Sequence, residues 1–180
     1  MGKNILITGR PRVGKTTLIK YAAKILGKRA GGFFTEEIKG EGVRGREGFS
    51  IIALDGRQGI LARVGLKSPF NVGLYGVNIR DLEEIGVNSI SEAIEKNDWI
   101  LIDEIGKMEE YSSKFKEAVI NALDSPKNLL ATIRDKDSPY TSAIKSRTDV
   151  QIIRLTVPNR EMIYDQIKTV TGQKDTQIPS

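Results

Sequence analysis

Residues 3–8, KNILIT, form a short apolar run that stops at Gly9-Arg10-Pro11, a turn signal. The period then changes. In residues 15–26, KTTLIKYAAKIL, Leu18, Ala22, Ile25 and Leu26 share one helical face, and Gly27 supplies a stop. The chain therefore opens as strand, glycine-containing loop, helix. A second strand is predicted over 30–38, AGGFFTEEI. Residues 39–48 hold four glycines and alternating charges, the composition of a mobile turn between strands. FSIIAL (49–54) and GILARV (59–64) flank Asp55-Gly56, which predicts a hairpin within a small antiparallel insertion. Residues 65–76 read as a loop.

Residues 79–96 read as a helix with a break at Gly86. Trp99-Ile100-Leu101-Ile102 is a continuous apolar run, typical of a strand buried on both faces, and it ends in Asp103-Glu104. A helix over 112–123, a strand over 128–133, a short helix over 139–146 and a strand over 150–155 follow. Pro158 opens a last helix to about 170. There is no internal repeat. Buried strands alternating with helices predict an α/β fold with a mainly parallel sheet flanked by helices. One domain is expected over 1–170, with 171–180 a polar, disordered tail.

Composition narrows the chemistry. The 180 residues include neither Cys nor His. That excludes disulfides, thiolate metal sites, Cys nucleophiles, His-ligated zinc and any triad built on His. A catalyst here must use carboxylates, Lys, Arg, hydroxyls, backbone amides or a borrowed metal. No apolar run is long enough for a transmembrane helix, and the N-terminus lacks a signal peptide's apolar core, so the expectation is a cytoplasmic protein without membrane contact. The net charge of +5 is unevenly spread: +7 in residues 1–60, −4 in 61–120 and +2 in 121–180. A basic first third fits nucleic acid, an anionic surface or a small polyanion.

Gly9-Arg10-Pro11-Arg12-Val13-Gly14-Lys15-Thr16 matches G-x-x-x-x-G-K-[ST] without a gap. The glycines let the backbone wrap close to phosphate oxygens, and the helix N-terminus behind them presents unpaired N–H groups. Lys15 is placed on the β- and γ-phosphates and Thr16 on Mg²⁺, with Thr17 next in the nucleotide-binding stretch. Asp103, at a strand end, can hold Mg²⁺ opposite Thr16. Glu104 points the other way and can polarise a water attacking the γ-phosphate, so that nucleotide contacts include both acids. With no His available, a carboxylate is the natural base. An acid beside the metal ligand leans toward hydrolysis. It also suggests that another strand separates the phosphate-loop strand from that of Asp103, giving core order 5-1-4-3-2.

GRPRVGKTT (9–17), GFFTEEI (32–38), GLYGVN (73–78), LIDEIGKME (101–109) and LTVPNR (155–160) together resemble a family of small nucleoside-triphosphatases of thermophiles with a human relative, the cancer-related nucleoside-triphosphatase. The resemblance spans about residues 3–170. It implies a P-loop NTPase fold and Mg²⁺-dependent hydrolysis of ATP, GTP, CTP and UTP to the diphosphate and phosphate, with little base selectivity. Its nucleotide-binding stretches fall on 9–16 and about 97–104. Arg10 and Arg12 depart from the acid or small residue usual in that loop.

Other candidates each have a plainer alternative. Thr35-Glu36-Glu37 can reach metal-bound water or simply end a strand. Lys107 and Glu109 follow Glu104, Lys107 as a transition-state charge or an ion-pair partner. Thr132 can sense the γ-phosphate, and Arg134, or else Arg147, can serve as an arginine finger in cis. Asn159, with Thr156, Pro158 and Arg160, lies where a base contact is expected, or else forms a helix entry. Tyr75 and Asn78 line a pocket or make a turn, and Trp99 is expected in the core. The competing functions are a nucleotide or nucleoside kinase and an NTP-dependent nucleic-acid factor. The latter lacks an aromatic-interleaved basic motif. A monomer acting on free nucleotide is the expectation.

Overall fold

The structure is a computed structural model that describes residues 2–40 and 45–172. A single nine-stranded sheet organises it. The parallel core comprises β1 (Asn4–Thr8), β2 (Ala30–Lys39), β7 (Trp99–Ile105), β8 (Asn128–Ile133) and β9 (Val150–Arg154). Across the sheet these run β9-β1-β8-β7-β2, which is 5-1-4-3-2 in chain order, as the acid pair suggested. Every pairing among them is parallel.

Period-2 alternation divides the core into two layers. From β1 and β7, Leu6, Ile100 and Ile102 join one cluster, which includes Phe115, Val119 and Ile90. These come from α3 (Asn88–Lys96) and α4 (Ser113–Asp124). Ile5, Ile7, Trp99 and Leu101 join the other, with Leu18, Ile19 and Ile163. Those come from α1 (Lys15–Leu26) and α6 (Arg160–Val170). Trp99 is a core residue as expected, 3% exposed.

Beyond β2 the sheet turns antiparallel, through β3 (Arg46–Ala53) and β4 (Gln58–Val64). Their turn is the expected one: Gly56 takes a left-handed φ of 98°, and Asp55 is bound by Arg57. The wide turn predicted over 39–48 is shorter, because β2 runs to Lys39 and β3 starts at Arg46; residues 41–44 lie outside the described residues.

Three other predictions need correction. Within 65–76, expected as a loop, lies β5 (Asn71–Val72), and β6 (Tyr75–Val77) begins there; both are too short to show a period, and β6 adds to β4. Gly76 permits that addition, since a Cβ there would lie 2.0 Å from the Leu66 carbonyl oxygen. The helix over 79–96 does not break at Gly86. It runs from α2 (Ile79–Asp81) through a π-helical stretch, Leu82–Val87, into α3. Thr171, assigned to the tail, is buried and follows α6 directly, while 173–180 lie outside the described residues. The remaining helix, α5 (Pro139–Lys145), is entered through a capping box at Ser138. No helix among the described residues is long and apolar enough to cross a membrane.

Candidate nucleotide site

The parallel strands end on one side of the sheet, and the candidate residues gather there. After β1 the backbone makes a loop with positive φ at three residues, Gly9, Arg12 and Gly14. Gly14 takes φ of 107° where it enters α1, and Arg12 takes φ of 64°, which a non-glycine residue rarely adopts. Gly9 is fixed by close approach, as a Cβ would lie 2.6 Å from the Leu155 carbonyl oxygen. Lys15 folds back into this loop, donating to the carbonyl oxygens of Gly9 (2.9 Å) and Arg10 (3.3 Å).

Asp103 is buried, 1% exposed, at the end of β7. Its carboxylate collects three threonines from three elements. Oδ2 accepts from the Thr16 hydroxyl at 2.8 Å, and from the hydroxyl and N–H of Thr35 at 3.3 and 3.4 Å. Oδ1 accepts from the Thr132 hydroxyl at 2.7 Å. These donors offset the cost of burying the charge. Thr16 and Asp103 form a hard-oxygen pair of the kind Mg²⁺ takes from a protein. Among the described residues no group of three or more His, Cys, Asp or Glu is arranged to hold a metal ion. A cation held by these two protein oxygens would take the rest of its shell from water and phosphate oxygens.

Glu104 faces an open cavity of about 890 Å³. Burial raises its carboxyl above the usual value; Lys15 pulls it back, Asp103 adds to the rise, and Arg134 lowers it. Behind it, Glu109 is buried and its carboxyl is pushed up to about 8, by burial first and by the charge of Glu104 second. Arg134 also lines the cavity, and Glu110 holds it there at 3.7 Å.

The cavity brings together Gly9, Pro11, Arg12, Gly14, Lys15, Thr16, Thr17, Glu104 and Arg134. Arg10 and Val13 are not among its lining residues: Val13 is 8% exposed and packs into the core beneath the loop. Asn159 also stands apart. Its side chain ties the loop after β9, accepting from Thr156 N–H at 2.8 Å and donating to the Arg154 carbonyl at 2.9 Å. From the start of α6, Arg160 reaches the phosphate loop, donating to the Val13 carbonyl at 2.9 Å. Arg147 is bound by Asp124 and Asp149 and Lys107 is exposed, both outside the cavity lining. Asn78 caps α2, and Tyr75 packs edge-on against Phe49.

Thr35, Glu36 and Glu37 form one cavity wall with Arg46 and Phe49 from β3. Lys20 binds Glu36 and Arg46 binds Glu37 across that wall. Lys20, Arg46, Phe49 and Lys136 carried no sequence signal, because nothing local separates them from ordinary surface positions. Six cations, Arg12, Lys15, Lys20, Arg46, Arg134 and Lys136, outnumber the four carboxylates of Glu36, Glu37, Glu104 and Asp135 in the lining, a net positive balance that suits a polyanion.

Comparison with known proteins agrees with this geometry. A family model described as NTPase matches residues 4–168. A protein of a Thermotoga species named nucleoside-triphosphatase THEP1 is 52% identical over 166 residues, covering 92% of this chain and 94% of its own length. The crystal structure of THEP1 from Aquifex aeolicus superposes with a TM-score of 0.86 at 39% identity, covering 94% of this chain and 99% of that one. The solution structure of a human cancer-related nucleoside triphosphatase gives 0.80 at 34% identity, covering 96% and 99%. A phosphate loop at the end of β1, an Asp-Glu pair at the end of β7 and a match along nearly the whole chain agree: the chain belongs to this family of P-loop NTPases.

Proposed function

We propose that this protein hydrolyses nucleoside triphosphates to the diphosphate and phosphate with Mg²⁺, tolerating different bases. The observation that carries the reading is the arrangement around Asp103. Its carboxylate holds Thr16, while Glu104 next to it faces the cavity that Lys15 lines. In this reading the 9–16 backbone and Lys15 hold the β- and γ-phosphates, and Thr16 and Asp103 hold Mg²⁺. When bound, the cation neutralises charge on the phosphate oxygens. Glu104 orients a water in line with the γ-phosphorus and accepts its proton. Arg134 meets charge that develops on the transferred group. Catalysis is then positioning plus electrostatics. Base tolerance is supported by Asn159, whose amide is committed to its own loop.

Phosphate release from ATP, GTP, CTP and UTP, with Mg²⁺ and with a chelator, tests the reading. Release from all four is expected, abolished by the chelator and by Glu104→Gln, while nucleotide still binds the variant. Parental turnover by Glu104→Gln would remove Glu104 as the base. RNA or DNA that stimulates release would favour a nucleic-acid factor instead.

The Phe49 and Arg46 wall supports a second reading. It extends the cavity alongside the phosphate loop, as an acceptor site of a kinase would. Transfer of labelled γ-phosphate to an added nucleoside, in place of free phosphate, would select it.

A further inference from the structure

Glu109 takes no part in the mechanism above, yet it is a buried carboxyl set directly behind the proposed base. The link is Gly106. A Cβ built on Gly106 would lie 2.6 Å from Glu104 Oε1 and 3.0 Å from Glu109 Oε2. The two carboxyl groups thus close on the same small space, and only the absence of a side chain at 106 leaves it to them. Glu109 is 4% exposed, and its Oε2 accepts the Gly106 N–H at 3.1 Å. Glu104 lines the cavity and Glu109 does not, so one carboxyl faces the substrate side and the other backs it.

From this geometry we infer that Glu109 is a positioning residue: it fixes Gly106 and closes the space behind Glu104, so that the Glu104 carboxylate keeps its working orientation. The inference rests on Glu104 being the group that orients the attacking water. Burial first, and the charge of Glu104 second, favour the protonated form of Glu109. One Glu109 oxygen is committed to the Gly106 N–H. That oxygen, Oε2, is the one that meets the Glu104 carboxylate across Gly106, so Glu109 fixes the backbone against which Glu104 rests. A carboxylate pinned on one side presents a fixed oxygen to the water, and misplacement by about 1 Å can cost on the order of a hundredfold in rate.

Two independent variants test this. Glu109→Leu removes the backing group, and Gly106→Ala puts a methyl into the shared space. Gly106 has no left-handed φ, so the backbone tolerates Ala and its effect must come through the carboxylates. Both should lower kcat by roughly tenfold to a hundredfold with KM and nucleotide affinity held. Glu109→Gln keeps the shape and an acceptor for the Gly106 N–H, so its kcat should stay within about threefold of the parent. The inference is overturned if Glu109→Leu, folded, turns over at the parental rate, or if Glu109→Gln falls as far as Glu109→Leu. Should Glu109→Leu not fold, a parental kcat in Gly106→Ala overturns it alone. An inactive Glu104→Gln beside a fully active Gly106→Ala would sink this inference and leave the proposed function standing; an active Glu104→Gln would remove Glu104 as the base and this inference with it, while phosphate release that fails with the parent protein would sink the proposed function itself.

Discussion

Thr132 donates its hydroxyl to Asp103 at 2.7 Å, joining β8 to β7 beneath the phosphate loop. Thr132 is fully buried. Replacing it by Val keeps the shape and removes the donor, leaving one oxygen of a buried carboxylate without its partner. The expected cost is about 1–3 kcal/mol of stability, read as a lower urea midpoint at unchanged slope. Asp103→Asn should leave the fold intact and weaken Mg²⁺-dependent turnover by roughly a hundredfold or more. A metal titration that matches the parent's would remove Asp103 from the cation site.

Arg134 is the next test. Its guanidinium is held by Glu110 at the cavity wall, which restrains it without covering it. If it meets transition-state charge, Arg134→Ala lowers kcat on the order of a hundredfold, with nucleotide affinity little changed. Glu110→Gln should give a milder loss by loosening the restraint. Parental kcat in Arg134→Ala would reduce the arginine to an ion-pair partner. Steady-state kinetics beside nucleotide-binding measurements separate the cases.

Glu109 also sets a pH dependence. Its carboxyl rises from 4.5 in the open chain to about 8 in the folded protein. Between those values the folded state binds a proton that the unfolded state has lost. Stability is therefore greatest below about 4.5, declines as pH rises, and levels off above about 8, so far as this group is concerned. Glu104, also raised by burial, acts in the same direction. Urea unfolding between those limits should show the parent losing on the order of a few kcal/mol more than Glu109→Gln. Parallel curves for the two would contradict the buried, neutral state of Glu109.

Asn159 separates two roles cleanly. Its amide closes the loop between Arg154 and Thr156. Asn159→Ala should cost about 1 kcal/mol of stability and change KM for all four nucleotides alike. A change confined to one base would mean that the amide reads the base.

How far the site was legible follows from how local each signal is. The phosphate loop is eight contiguous residues between an apolar run and an amphipathic helix, so motif and context coincide. The strand order was legible because Asp103-Glu104 end an apolar strand, and the expected intervening strand is β8. Thr35 and Thr132 were singled out, but their convergence on one carboxylate depends on three strands meeting in register. Arg46 and Phe49 reach the cavity only because β3 folds back along β2. Strands β5 and β6 were missed because two or three residues cannot display a period. Gly86 reads as a helix breaker in isolation; packed against Ile51, where a Cβ would sit 3.0 Å from Cδ1, it is the small residue that lets a widened turn approach the sheet.

The bond from Arg160 to the Val13 carbonyl joins positions 147 residues apart. During synthesis the phosphate loop leaves the ribosome long before the arginine that braces it. Strand β9, which flanks β1 on its outer side, also comes late. An unfinished chain thus carries the whole nucleotide-binding motif without its outer wall or its brace. Tight nucleotide binding then waits on Arg160, and a truncation before residue 160 should lose it even with the motif intact.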